Sequence, residues 1–502
     1  MRLTREARPG LRWPAPATAH VLALAACAGI FVGVAGTAAG PRAIYYFAIL
    51  GAIAIGGFVA VTRREPMRFA FLALFAALPL ADVPIPPARL GVRLFDAVML
   101  ALAIALVARR LTAPPQDRRP LFPSPSLAGA WLLFAICAAF SLYPKDSAQA
   151  LLVGVAVYAF FLCALDELRR PGGFERLAAI SAAVVIVLSL GLFIDHFLQV
   201  NLSLRGGNLN QLSYVMGRET WRAGGFFQDP QKAGAFLAST IAFLLVLAVR
   251  GRFAGLGMRL LAWVAVAAGI TALFTTIARG AIIACLAVSV LALGAFNRWP
   301  AGVKLLTAAA VAAALLVAAV VPAGAWLDLM PEAVAARFAR MGEELGIRIT
   351  IWFDTWDMFA GHPLTGVGPD AFRSYLLESR PGMTGYYGIG VADGAQYVPE
   401  QPENGYLTIL YEGGLVGSAA ALLVAGDALR RIFAVLARGT GDADARSEAI
   451  AALAGLATFG VTFMTLFTPG DARIAALLMF LLAIAWRHTL RTGAPDRACM
   501  RG

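Results

Sequence analysis

Apolar runs of roughly 18 to 22 residues follow one another through most of this chain, each long enough to cross about 30 Å of hydrocarbon as a helix. Irregular structure cannot span that layer, because its backbone amides and carbonyls would find no partners there. Of the 502 residues, 60% are hydrophobic and 14% charged, too little charge to cover a soluble protein of this size. The expected fold class is an all-α polytopic membrane protein.

About fourteen crossings can be drawn at this helix length. They lie near 19–38, 44–61, 69–83, 91–108, 125–142, 148–165, 174–194, 231–249, 260–277, 280–297, 304–322, 404–426, 447–467 and 472–487, the third short and interrupted by Pro79. Basic residues set the orientation. With the amino terminus inside, most Lys and Arg fall on inner segments, including Arg63, Arg64, Arg68, Arg109, Arg110, Arg118, Arg119, Arg430, Arg431 and Arg438. Both termini are then cytoplasmic.

The expected division is an inner tail at 1–18, spans and an outer loop over 19–230, and central spans over 231–322. A large periplasmic loop at 323–402, spans over 403–487 and an inner tail at 488–502 follow. Arg2, Arg5, Arg8 and Arg12 suit an inner anchor, and no convincing cleavage pattern follows the first span. The formal charge of +12 thus has a topological cause, and no aromatic-interleaved basic groove points to nucleic acid.

The five cysteines lie in spans or in the carboxy-terminal tail, so no disulfide is expected. There is no CxxC, HExxH or histidine cluster, and His20, His196, His362 and His488 are too scattered for a metal site. No metal or cofactor is expected.

Four outer positions are unusually polar. The segment 222–231, RAGGFFQDPQ, has paired glycines for tight backbone geometry, and Asp229-Pro230 suits the start of a helix. Arg222 there is either an interfacial anchor or a ligand contact. In TTIARGAI, Arg279 separates two apolar runs by only a few residues, where an arginine either snorkels or holds an anion in a cavity. Arg348 shares a helical face with Trp352 and Thr355, and pairs either with a local acid or with substrate; Pro363, Gly366 and Gly368 then enforce a turn. Upstream, residues 331–346 alternate apolar and charged faces, as a helix on the membrane surface does.

At the mouth of the span near 404–426, Glu403, Tyr406, Leu407 and Leu410 fall on one face. Glu403 there is either an ordinary cap or a reactive carboxylate. Glu412, deeper in the span, reads as structural and paired with a basic or hydroxyl group, since unpaired burial is costly.

Arginines converging with a carboxylate at an outer face suit an anionic substrate that arrives through the membrane. Guanidinium binds phosphate oxygens through a fixed fork and stays charged when partly desolvated. A lipid diphosphate carrying a sugar chain fits: the arginines hold the leaving diphosphate and Glu403 takes the proton of an attacking sugar hydroxyl. Tyr375, Tyr386, Tyr387, Tyr397 and Tyr406 offer flat faces for sugar rings.

Four stretches now carry a resemblance: RAGGFFQDPQ (222–231), TTIARGA (275–281), RITIWFDTWDMFAGHPLTGVG (348–368) and ENGYLTILYEGGLVG (403–417). Together they resemble the superfamily of bacterial O-antigen ligases and Wzy-type O-antigen or exopolysaccharide polymerases. The matching residues are Arg348, Trp352, Pro363, Leu364, Gly366, Gly368, Asn404, Tyr406, Leu407, Leu410, Glu412, Gly414 and Gly417. The resemblance implies a GT-C-like membrane fold acting on undecaprenyl-diphosphate-linked glycans at the periplasmic face of the inner membrane, without metal. It further implies catalytic roles for Arg279, Arg348 and the residue at 403. Arg222, Trp352, Asn404 and Tyr406 are expected to bind substrate. A glycan acceptor, membrane lipids and a chain-length regulator are the implied partners.

One position departs from the pattern. Ligases of this family carry a histidine just before the asparagine, where this chain has Glu403. A glutamate serves as base if apolar surroundings raise its pKa, whereas neighbouring arginines push it down. The missing histidine and the count of crossings favour a polymerase over a lipid A–core ligase. A lipid-linked glycan transporter is the reading from another class, although no paired internal repeat of the kind common in transporters is visible.

Overall fold

In the computed structural model the described residues are 65–81, 93–114, 119–199, 202, 212–215, 218–227, 229–253, 255–296, 349, 351–353, 355–379, 404–437, 443–464 and 471–491. Two compact units divide between Ala73 and Leu74. The described part of the first is the beginning of helix α1 (Pro66–Ala76); everything below concerns the second.

Proline and small polar residues set the helix starts. Pro125, Pro144 and Pro230 open α3 (Pro125–Ala139), α4 (Pro144–Leu168) and α6 (Pro230–Val249), where a missing amide costs nothing. Ser124 and Asp229 cap two of them, accepting the amides of Leu127 at 3.4 Å and Gln231 at 2.7 Å. Helix α6 thus begins where the Asp229-Pro230 pair predicts. The other helices are α2 (Leu94–Thr112), α5 (Gly173–Leu198), α7 (Leu256–Thr276), α8 (Arg279–Phe296), α9 (Phe372–Ser379), α10 (Gly405–Ala437), α11 (Ala443–Phe463) and α12 (Ala472–Arg491). A hairpin of β1 (Leu212–Val215) and β2 (Arg218–Trp221) precedes α6, with Leu212 opposite Trp221.

Five helices, α4, α5, α6, α7 and α10, are long and apolar enough to cross a membrane, and α3 and α8 contain shorter apolar stretches. Helices α2, α11 and α12 occupy expected crossings but carry charge: Asp96, Arg109 and Arg110; Asp444, Arg446 and Glu448; Arg473 and Arg487. The expected crossings 19–38, 44–61 and 304–322 lie outside the described residues. The expected GT-C-like bundle of about fourteen crossings is therefore corrected: the chain is an all-α polytopic membrane protein with five qualifying spans among the described residues.

Helix α6 is the axis. It is buried along nearly its whole length and packs against α5, α7, α8, α11 and α12. At its carboxy-terminal end Arg250 donates to Ser447 of α11 at 3.0 Å. Next to it Arg252 joins Glu175 of α5 and Glu448 of α11, and Arg487 of α12 also pairs with Glu448. Arg110, Arg119 and Arg169 surround Asp166 at the end of α4, and Asp427 of α10 binds Arg430 and Arg431. One end of the bundle is thus a belt of ion pairs rich in arginine.

Toward the other end, α10 is broken. Gly414 has φ 59° and ψ −155°, and the turn after the helical stretch 355–361 fills the gap. The amides of Val367 and Gly368 donate to the carbonyls of Tyr411 and Glu412, at 3.2 and 2.9 Å. In return the carbonyls of Pro363 and Leu364 accept from the amides of Leu415 and Val416, at 2.9 and 3.0 Å. Four backbone groups that the break would strand inside a membrane span are thereby satisfied, which is what lets a span depart from helical geometry. Cys137 of α3 donates to the Gly413 carbonyl, and Ser141, in the turn after α3, to that of Val367. Glu412 accepts from the backbone amides of Asp370 and Phe372 at the start of α9. Among the described residues its partners are thus backbone amides, where a basic or hydroxyl group was anticipated.

A methyl group at Gly366 (φ +66°) would come 2.4 Å from the backbone of Glu412, whereas one at Gly361 meets nothing within 4 Å. Gly366→Ala is expected to destabilise the protein by about 3 kcal/mol or more, through strain and lost contacts together. Gly361→Ala should leave the apparent melting temperature in detergent unchanged or slightly raised, so thermal unfolding of the two variants side by side checks the join.

Candidate functional site

Opposite the arginine belt, several helix ends converge. The segment 221–227 joins them, and it is held from three sides. Asp195, fully buried at the end of α5, accepts the Trp221 indole on one oxygen at 2.7 Å. Its other oxygen accepts the amides of Gly224 and Gly225, at 2.8 and 2.6 Å. Gly225 adopts φ +58°, a conformation open to glycine at little cost.

From the start of α12, Arg473 is buried and paired with Asp471 at 2.7 Å; its guanidinium lies over the Phe227 ring and donates to the Phe226 carbonyl at 2.5 Å. From the α7–α8 turn, Thr275 accepts the amide of Ala223 at 3.1 Å and Thr276 accepts Nε of Arg222 at 3.3 Å.

That turn is tightly made. Ile277 takes a left-handed conformation, and the Thr276 hydroxyl accepts the Ala278 amide at 3.2 Å before α8 opens with Arg279. Gly234 of α6 allows the close approach, since a methyl group there would meet Ala278 at 2.5 Å. Arg279 is half-buried. Arg222 and Arg279 therefore lie beside the same short turn.

The mouth of α10 lies at the same end. Gly405 packs so closely on Phe463, at the end of α11, that a methyl group there would come 2.3 Å from its ring. Asn404 caps α10, its side-chain oxygen accepting the amides of Tyr406 and Leu407 at 3.1 and 3.2 Å. Tyr406 donates its hydroxyl to the Gly460 carbonyl at 2.8 Å and stands edge-on to Phe463, yet remains half exposed.

Residues 351–353 and 355–376 fold over the α3–α4 turn and α10. Ile351, Met358, Val367, Ala371, Phe372 and Leu376 form one apolar cluster on Tyr411. Ser374 of α9 donates to Asp146 of α4 at 2.5 Å, and Tyr143 donates to Glu378 at 2.6 Å. Burial, then the Glu378 carboxylate, push the Tyr143 hydroxyl above its usual pKa. Trp352 is half-buried on this segment, and His362 packs edge-on to Tyr375 at the turn.

The structure thus brings Arg222, Arg279, Asn404 and Tyr406 to one end of the bundle. Arg348 and Glu403 lie outside the described residues, as does most of the large loop expected at 323–402. The sequence reading missed Asp195, Asp471 and Arg473. Their signal was present: charges at the very ends of apolar runs, beside a glycine pair whose amides need acceptors. Among the described residues no group of three or more His, Cys, Asp or Glu side chains is disposed to hold a metal ion.

Residues 264–422, about a third of the chain, match the family model described as O-antigen ligase (Wzy_C). The match supports a place in that superfamily. Among curated proteins none matches the chain.

Asp195→Ala strands an indole and two amides in a buried site, at about 1 to 3 kcal/mol for each group. Hydrogen–deuterium exchange should show the Gly224 and Gly225 amides exchanging faster than in the unaltered protein, while amides in the middle of α6 keep their protection. Asp195→Asn, which keeps acceptors for only part of the set, should fall between the two.

Proposed function

We propose that this protein is a membrane glycosyltransferase that moves a glycan from a lipid diphosphate to an acceptor hydroxyl, in the manner of an O-antigen ligase. The observation that carries the reading is the turn shared by Arg222 and Arg279, at the end of the bundle where Asn404 and Tyr406 open α10. The matched residues 264–422 take in Arg279, Arg348 and Glu403, and the description of that family names the ligase rather than the polymerase. The polymerase reading favoured by sequence alone thus yields first place. It keeps one specific support, Glu403 at the position where ligases carry histidine.

In this reading the acceptor oxygen attacks the anomeric carbon and forms the new glycosidic bond as the bond to phosphate breaks. Glu403 takes the proton, and Arg279 with Arg348 stabilise the negative charge collecting on the departing lipid diphosphate. Arg222, Trp352, Asn404 and Tyr406 orient the substrate. Guanidinium groups do the neutralising, so the step needs no metal or cofactor. An undecaprenyl carrier and a saccharide acceptor, lipid A–core for a ligase or a growing chain for a polymerase, are the partners. A chain-length regulator joins them in the second case.

The orientation follows the same reading. The arginine belt at Arg110, Arg119, Arg169, Arg250, Arg252, Arg430 and Arg431 would face the cytoplasm of a bacterial cell, in keeping with the excess of basic residues on inner segments. The site and the segment 323–402 then face the periplasm, and both termini the cytoplasm.

Purified protein reconstituted with a lipid-linked oligosaccharide and lipid A–core should give a single shifted product by gel and mass analysis; a ladder of repeats would assign the polymerase. Arg279→Ala and Arg348→Ala should each lower the rate by about 100- to 1000-fold. Glu403→Gln should lower it by about 100- to 10,000-fold. Unchanged rates in all three, or loss of lipid translocation in place of transfer, would overturn the reading, the latter in favour of a transporter.

A further inference from the structure

The described helical residues among 349–361, namely 349, 351–353 and 355–361, are apolar on two opposite faces. One face, through Ile351, Thr355 and Met358, is buried on the cluster around Tyr411. On the other, Ile349, Phe353 and Trp356 are 39, 69 and 53% exposed, one helical turn apart along one line. Leu364, in the turn that follows, is 66% exposed. Trp352 and Phe359, both half-buried, flank the line on one side, and Trp356 stacks toward Phe359 with centroids 5.4 Å apart. Asp357, exposed, flanks it on the other. A surface helix turns its apolar stripe to the core and its polar face to water. Here the outward face holds the largest aromatics, so its surroundings are not water.

The depth of the segment identifies those surroundings. Its inner face packs on Tyr411, a residue of the membrane-spanning helix α10. The ion pairs of Asp427 with Arg430 and Arg431 mark the opposite limit of that span. From the break at Gly414 to Asp427 the helix rises about 20 Å, and Tyr411 lies just beyond the break, within the roughly 30 Å of a hydrocarbon core. The cluster on Tyr411 therefore sits just inside the bilayer boundary at the site end. A tryptophan-bearing face at that level has the composition of a membrane–water interface.

We propose that Ile349, Phe353, Trp356 and Leu364 are seated against lipid in the bilayer boundary at the site end. The occupant of this face is the lipid layer, and the segment is an interfacial helix held from behind by the turn that fills the break in α10. This placement does not depend on glycosyl transfer; it needs only the membrane insertion of α10.

The test uses the full chain in phospholipid nanodiscs. Fluorescence lost in Trp356→Phe gives the Trp356 component by difference. Lipids brominated near the headgroup end of the acyl chain should quench most of that component, and aqueous iodide little of it. Phe353→Trp in the Trp356→Phe background, an exchange between exposed aromatics, should report the same preference. Quenching by iodide without quenching by brominated lipid would put the face in water. Quenching by neither would put it under protein, whether a second copy or another part of the chain. Either result overturns the proposal.

Discussion

A break in a membrane-spanning helix creates unpaired amides and carbonyls where no water can reach them, and the way those groups are satisfied governs the site end of this protein. At Gly414 the chain answers with a turn from upstream in the sequence, 363–368, whose amides and carbonyls pair reciprocally with those of 411, 412, 415 and 416. Each unmade bond would cost several kcal/mol in hydrocarbon, so the turn and the break are thermodynamically one unit. From it hang the helical stretch before Pro363, helix α9 through Glu412, and the α3–α4 turn through Cys137 and Ser141.

The second organising element is the segment 221–227, which crosses the same end without regular structure and is held by buried charge. Asp195 accepts three donors, and Arg473 spends its guanidinium on Asp471, on a carbonyl and on an aromatic face. Burying an ion is costly unless its hydrogen bonds are complete, and here the indole, the two amides, the carboxylate and the carbonyl supply those bonds. The result fixes the backbone that carries Arg222 against the turn that carries Arg279. The opposite end of the bundle also uses buried ion pairs, and there Arg252, from the connection between α6 and α7, ties α5 to α11.

Much of this was legible in the order of residues. Apolar length announced membrane helices, Asp229-Pro230 announced the start of α6, and Pro363, Gly366 and Gly368 announced a turn. What residue order could not give was the partner of that turn, because pairing between 363–368 and 411–416 is made by backbone atoms that every sequence possesses. The number of crossings was overread where apolar runs counted α2, α11 and α12 as spans; these helices carry charges such as Asp96, Glu448 and Arg473 and stand outside the five that are long and apolar enough to cross. Arg222 and Arg279 were picked out singly by their isolation among apolar residues; that they share a turn follows from the fold of 222–223 onto Thr275 and Thr276.

The join in α10 also has a bearing on which positions can change. Pro363 and Leu364 enter it through their carbonyl oxygens, and Val367 through its amide as well as its buried side chain. Residue type at 364 and 365 is thus nearly unconstrained by the join itself, whereas 366 and 414 admit no side chain at all. Variation along this stretch should therefore alter what the surrounding surface presents while leaving the mechanical coupling between its two helices as it is.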